Sequence, residues 1–436
     1  MNRREFAALL LASGAAGCDL FKEKKTPLSG ERISVLGVGG TLDADPNLAA
    51  VSVSLPPPEV NPDWPAPGGI PTHAIGHPAL PDRLTRAWDT GIGEGASRYT
   101  RVLSQPVVAG GRVFAMDGGT QVSALDAASG SRIWRVDLKP EKERGDAFGG
   151  GPCFWNDRLY VSTGYGQVVA LDPADGKVIW SQNVTAPVHV APTVADGRVF
   201  AVSVENTLDV LAADDGKPLW SHRGIPETAG LLGGASPAVS GEVVVVGYSS
   251  GELFALRPEN GRAIWSDNLA AVRAINAVAG LADIRGRPVI DRGRVFAISH
   301  SGRMGAIDLR SGDRVWEQQI ASSHGPWVVG NHVFVLANDN QAVCLTRDEG
   351  KVRWQRQLPR FRDEKDRSGP IFWAGPVLGG NRLIVLSSTG DAMFLSPQTG
   401  EVVGQQKISG PGYIGPVIAN NSLYLLTDDA NLSAYR

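Results

Sequence analysis

The sequence predicts an all-β fold: an eight-bladed β-propeller of four-stranded antiparallel blades, closed by an N-terminal strand and preceded by an extended, proline-rich arm. Three observations carry this. Short β-branched runs are grouped in fours by glycine turns. A tryptophan returns every 38–51 residues. The last repeat lacks a strand that the chain supplies near its start.

The first repeat, 106–138, shows the unit. Val107 to Ala109, Arg112 to Asp117, Gln121 to Asp126 and Arg132 to Leu138 are separated by turns at Gly110-Gly111, Gly118-Gly119 and Ser129-Gly130. Runs of this length and composition, broken by glycine, form an antiparallel meander. Such a sheet needs like neighbours to bury both faces. Trp134 recurs as Trp180, Trp220, Trp265, Trp316 and Trp354, each just after a glycine turn. Recurrence at a fixed point of the repeat predicts wedges between blades rather than exposed ligand platforms. The seventh repeat keeps its turn, Thr399-Gly400, but has Val402-Val403-Gly404 where the tryptophan belongs, so its rim is expected to pack less tightly. The eighth, from Tyr413, has three strands. Its fourth is predicted from Leu84 to Gly91, where Trp88 matches the tryptophan-bearing outer strand. Closing the ring this way leaves no open sheet edge.

Of the 436 residues, 42% are hydrophobic and 53 are glycine, as many turns require; the net charge of −3 gives no electrostatic reason to expect nucleic acid as a partner. No apolar run reaches the roughly 18–20 residues of a membrane span. Three regions are expected: a signal peptide at 1–18, a tether and arm at 19–81, and the propeller at 82–436. Arg3-Arg4, the apolar segment Phe6 to Ala12 and Ala15-Ala16-Gly17-Cys18 have the order of a signal peptide. Small residues before Cys18 resemble a bacterial lipobox, which implies acyl chains on Cys18. Arg3-Arg4-Glu5-Phe6 leaves Sec and twin-arginine export both open. In some bacteria an aspartate after that cysteine, here Asp19, marks inner-membrane retention. Prolines from Pro56 to Pro81 favour extended backbone, so an arm lying along the propeller surface is expected. His73 and His77 have helical metal-ligand spacing, but Gly76 and Pro78 argue against a helix, and no metal is expected. Cys153 and Cys344 fall in distant blades, beyond disulfide reach; both are read as small buried hydrophobes.

The A–B and C–D turns share one face and are short. The long insertions, 139–149, 223–235, 270–288 and 360–369, fall on the other, where loops on a rigid scaffold carry binding. The first and last carry mixed charge and read as solvated. The two beside blade 4 are apolar, which points either to a protein-binding patch or to a plug in the funnel mouth.

The units typified by Ala170-Leu171-Asp172, Gly176 and Trp180 resemble pyrroloquinoline-quinone-type propeller repeats. Eight of them behind a lipobox resemble the BamB family, lipoproteins of the outer-membrane β-barrel assembly machinery. The resemblance implies a non-enzymatic scaffold without cofactor, held by a lipid anchor at the periplasmic face of the outer membrane. Its implied partners are a POTRA domain of BamA and unfolded outer-membrane precursors. In that family the contact uses a Leu-x-Leu-Arg segment and an Asp-x-Asp segment beside blade 4. These map to Leu231 and Leu232 and to Asp283 and Arg285; Leu232 stands where arginine is expected and Arg285 where the second aspartate is. Two alternatives stay open: a propeller that binds glycan or peptide in its funnel, and a quinone-dependent dehydrogenase. The second needs a funnel aspartate and a calcium site, and many such enzymes carry adjacent cysteines, which this chain lacks.

Overall fold

A computed structural model describes residues 42–48, 51–271 and 281–436. The signal peptide, Cys18 and most of the tether lie outside the described residues. Among those described, eight four-stranded antiparallel sheets form the blades of a propeller, and a two-stranded hairpin, Phe361–Asp363 with Ser368–Pro370, projects from the last long insertion. Blades 1 to 7 span 107–137, 150–183, 193–223, 238–268, 289–318, 327–357 and 373–407. Blade 8 takes strands A to C from 417–435 and strand D from Arg86–Gly91. Trp88 lies opposite Ala434 in that pairing.

Burial follows from the layering. Strands A to C are covered on both faces by neighbouring blades and read as continuous apolar runs, such as Val243 to Val246 and Leu423 to Leu426. Strand D, on the rim, alternates, with Trp134 buried while Ile133 and Arg135 are exposed. Each rim tryptophan faces a small residue on strand C of its own blade: Ala124, Ala170, Val210, Ala255, Ala306, Cys344 and Ala434. Its indole then crosses to the next blade. Trp316 Nε1 donates to Arg347 O at 2.8 Å, and its ring covers Gly350, where a Cβ would lie 2.5 Å from it. The same pairing links Trp88 to Gly130, Trp134 to Gly176, Trp180 to Gly216, Trp220 to Gly261, Trp265 to Gly312 and Trp354 to Gly400. Five of the seven tryptophans are buried, whereas Trp180 and Trp220 are half-buried.

This explains why blade 7 has no tryptophan. The indole needs the C–D turn glycine of the next blade. In blade 8, strand D does not follow strand C along the chain, so that turn does not exist. Blade 7 reverses the volumes: Gly404 on strand D faces Phe394 on strand C. Arg382 lies over the Phe394 ring at 5.1 Å and donates to Pro81 O and Asp82 O, each at 2.5 Å. A shallow cleft lined by Leu84, Phe394 and Gly404 runs along this junction. Val402 and Val403 are exposed beside it.

The arm does more than lie along the surface. It crosses the inner strands where they enter the A–B turns. Trp64 pairs with Val108 through two backbone hydrogen bonds, Val239 N donates to Pro71 O and Ile290 N donates to Thr72 O. Trp64 is fully buried and stacks on Trp327, with ring centroids 6.2 Å apart. Extended backbone suits this path because its free N–H and C=O groups pair with strand ends of several blades in turn. His73 and His77 serve the same purpose. His73 Nδ1 donates to Pro288 O at 2.7 Å; His77 Nδ1 donates to Pro56 O at 2.8 Å, and its Nε2 accepts from Asn381 N. Cys153 and Cys344 are free and buried, and burial pushes the Cys153 thiol up to about 12.

Candidate functional site

On the crossover face, the loops 223–235 and 281–288 meet beside blade 4. Asn206, at positive φ in the B–C turn of blade 3, organises the first. Its carbonyl accepts from Gly224 N at 2.8 Å, its Nδ2 donates to Ile225 O at 2.6 Å, and its Oδ1 accepts from Ser249 N at 3.0 Å. The second loop is pinned by Ile284, whose side chain fills the space over Gly247 and whose N–H donates to Tyr248 O.

The two loops join through Asp283, whose Oδ1 accepts from Leu231 N at 2.8 Å. Asp283 is 5% exposed. Burial raises its pKa, and the Leu231 N–H offsets part of that. Its carboxylate therefore sets the conformation of the leucine loop from beneath. Leu231 is half-buried and Leu232 is 37% exposed; Ile225, earlier in the same loop, is 57% exposed and Val204, in the B–C turn of blade 3, is 42% exposed. A cleft lined by Val202, Val204, Leu231 and Leu232 opens between them. Arg285 turns inward: its Nε lies 2.9 Å from where a Cβ on Gly233 would stand, and it lines the central funnel. The structure thus brings all four sequence-predicted residues together but presents one of them, Leu232, outward. Among the described residues, Val204 and Ile225 add to the apolar surface and carry no motif; the run Ser203 to Asn206 could have marked a turn, not its exposure.

The funnel is the second feature. The arm forms its floor, where Gly68 N donates to Gln105 Oε1 at 3.1 Å and Gln105 Nε2 donates to Gly415 O at 2.9 Å. Arg285, Arg287, His324, Trp327 and Tyr413 line its wall. Burial, reinforced by the two arginines, pulls His324 down to about 4, so it is neutral at neutral pH. Arg287 is lowered by burial to about 10 and stays charged. Trp64 and Trp327 were detectable in sequence as tryptophans out of phase with the repeat. Arg287 carried no such signal.

Repeat, ring and one-sided loops define the class: an eight-bladed propeller of pyrroloquinoline-quinone-type repeats. The chain belongs to the family of the outer membrane protein assembly factor BamB, whose model matches residues 118–356, more than half of it. It is 27% identical over 357 residues to the outer membrane protein assembly factor BamB of Yersinia pestis, covering 80% of this chain and 88% of that one. The crystal structure of BamB from Moraxella catarrhalis superposes with a TM-score of 0.70 at 19% identity, covering 81% of this chain and all of that one. Quinohemoprotein alcohol dehydrogenase from Comamonas testosteroni shares the fold with a TM-score of 0.64 at 14% identity, covering 86% of this chain and 80% of that one.

Proposed function

We propose that the protein is a non-enzymatic scaffold of the outer-membrane β-barrel assembly complex, docking a POTRA domain of BamA on the crossover face beside blade 4. The observation that carries this reading is the exposed apolar surface of Leu232, Ile225 and Val204 on loops fixed by Asn206 and Asp283. Held by a rigid ring, such a surface loses little entropy on binding. Lipid on Cys18 would hold the ring at the periplasmic face of the outer membrane, within reach of barrel precursors, while Asp19 makes the inner membrane the other location to test. The regions at 1–18, 19–81 and 82–436 would act as export signal, tether with arm, and docking ring.

The fold alone is compatible with a quinone enzyme, so the funnel chemistry matters. Its described lining offers arginines and no carboxylate. That wall suits neither calcium nor the aspartate base such an enzyme needs. Added quinone and calcium are expected to give no dye reduction.

Leu231→Asp with Leu232→Asp places two charges in the apolar surface. Co-purification with BamA from solubilised envelopes is expected to fall at least tenfold, since central apolar contacts dominate such interfaces. Melting is expected to change little, because Leu232 is exposed and Leu231 half-buried. Undiminished co-purification would remove this surface from the reading.

A further inference from the structure

We infer that the central funnel is a binding site for a phosphate group, held between Arg285 and Arg287. The two side chains come from alternate positions of one segment, and both line the cavity. Arg285 stands by Gly233, on the crossover side, and Arg287 by Gly68 of the arm, at the floor. Gly286 between them packs on blade 6's incoming loop: a Cβ there would lie 2.5 Å from His324 O. The backbone that carries the two side chains is therefore fixed by packing.

Neither arginine takes part in an ion pair or donates a hydrogen bond among the described residues. Elsewhere in the molecule, by contrast, Arg347 and Arg314 are each held by carboxylates. A withdrawn charge without a counter-charge is costly. Asp283 offsets part of the Arg285 charge from behind the wall, short of an ion pair, and no carboxylate acts on Arg287. Two arginines facing one cavity whose described wall has no carboxylate call for an anion. Guanidinium groups bind phosphate oxygens in a bidentate fork. Neutral His324 beside them adds a polar group without adding charge. The cavity volume of about 120 Å³ is below the roughly 300–1,000 Å³ of sites for drug-sized ligands. It suits a phosphate group, with any ester substituent leaving through the mouth by Tyr413.

The test is calorimetric titration of the full-length protein with inorganic phosphate and, separately, with glycerol 3-phosphate, in low-salt buffer with chloride as the control anion. Saturable binding is expected. Equal affinity for the two would identify the phosphate itself as the ligand, and at least tenfold preference for the ester would identify a headgroup-type ligand; both support the site. Arg287→Gln is expected to weaken binding at least tenfold. In phosphate-free buffer the same variant is expected to melt no lower than the parent, because it removes an uncompensated charge. Binding of neither compound by the parent overturns the inference, as does binding that Arg287→Gln leaves unchanged. A lower melting temperature for Arg287→Gln, with no phosphate response in the parent, would make the arginine purely structural. Arg287 lies outside the docking surface, so failure here leaves the assembly role standing.

Discussion

Trp316→Ala is expected to destabilise the protein by about 3–5 kcal/mol, the range for deleting a buried aromatic from a well-packed site. Three losses combine at this position. The ring is 8% exposed and packs against Phe296, with centroids 6.1 Å apart. Its Nε1 hydrogen bond to Arg347 O is a tie to blade 6, and its removal leaves that carbonyl with the longer bond from Arg294 alone, at 3.1 Å. Gly350, shaped to receive the indole, would face a void. The converse change should also be costly. Gly350→Ala would force a methyl to 2.5 Å from the ring, at φ +68°, where L-residues are strained. Thermal unfolding checks both, and an unchanged melting temperature for Trp316→Ala would refute the wedge role. Trp220→Ala should cost less, since that ring is half-buried.

The recurrence of tryptophan and glycine was enough to read the ring, because both ends of each interblade contact sit at fixed points of a local repeat. The substitution at Gly404 was also visible, but its meaning was not. It depends on Phe394 on the neighbouring strand and on the missing turn of blade 8, a relation between chain segments hundreds of residues apart. The arm was legible as extended backbone from its prolines. Its course across the inner strands was not, since main-chain pairing such as Trp64 with Val108 leaves no side-chain signature. The docking loops stood out by length and apolar content, yet sequence could not say that Asp283 would lie beneath Leu231 or that Arg285 would face the lumen. Those orientations follow from Ile284 filling the space over Gly247 and Gly286 packing on His324. Alternate residues of one segment then split between core and cavity.

Trp88→Ala removes the same side chain as Trp316→Ala, and the expected result is local rather than global. Strand Arg86–Gly91 has no turn joining it to the strand it completes; it is held by pairing with Asn431–Tyr435, by the Trp88 Nε1 bond to Ala127 O at 3.1 Å, and by Asp89. Asp89 accepts hydrogen bonds from Ser409, Asn431 and Ser433. Partial burial alone would raise its pKa, but these donors, with Arg86, hold it below the ordinary carboxylate value. A carboxylate depressed in the folded state contributes stability above its unfolded pKa, near 3.9. That contribution fades as pH falls through the lower, folded value. The closure should therefore loosen first in acid, and Asp89→Asn should remove that pH dependence. Closing a loop of this length carries a large entropic cost, and a freed edge at Asn431–Tyr435 is open to pairing with another molecule. In Trp88→Ala, amide exchange is expected to accelerate at 86–91 and 431–435 while blades 2 to 6 keep their protection, with self-association rising alongside. Uniform loss of protection in all eight blades would instead mean that the ring opens as one cooperative unit and that its closing strand is no weaker than the rest.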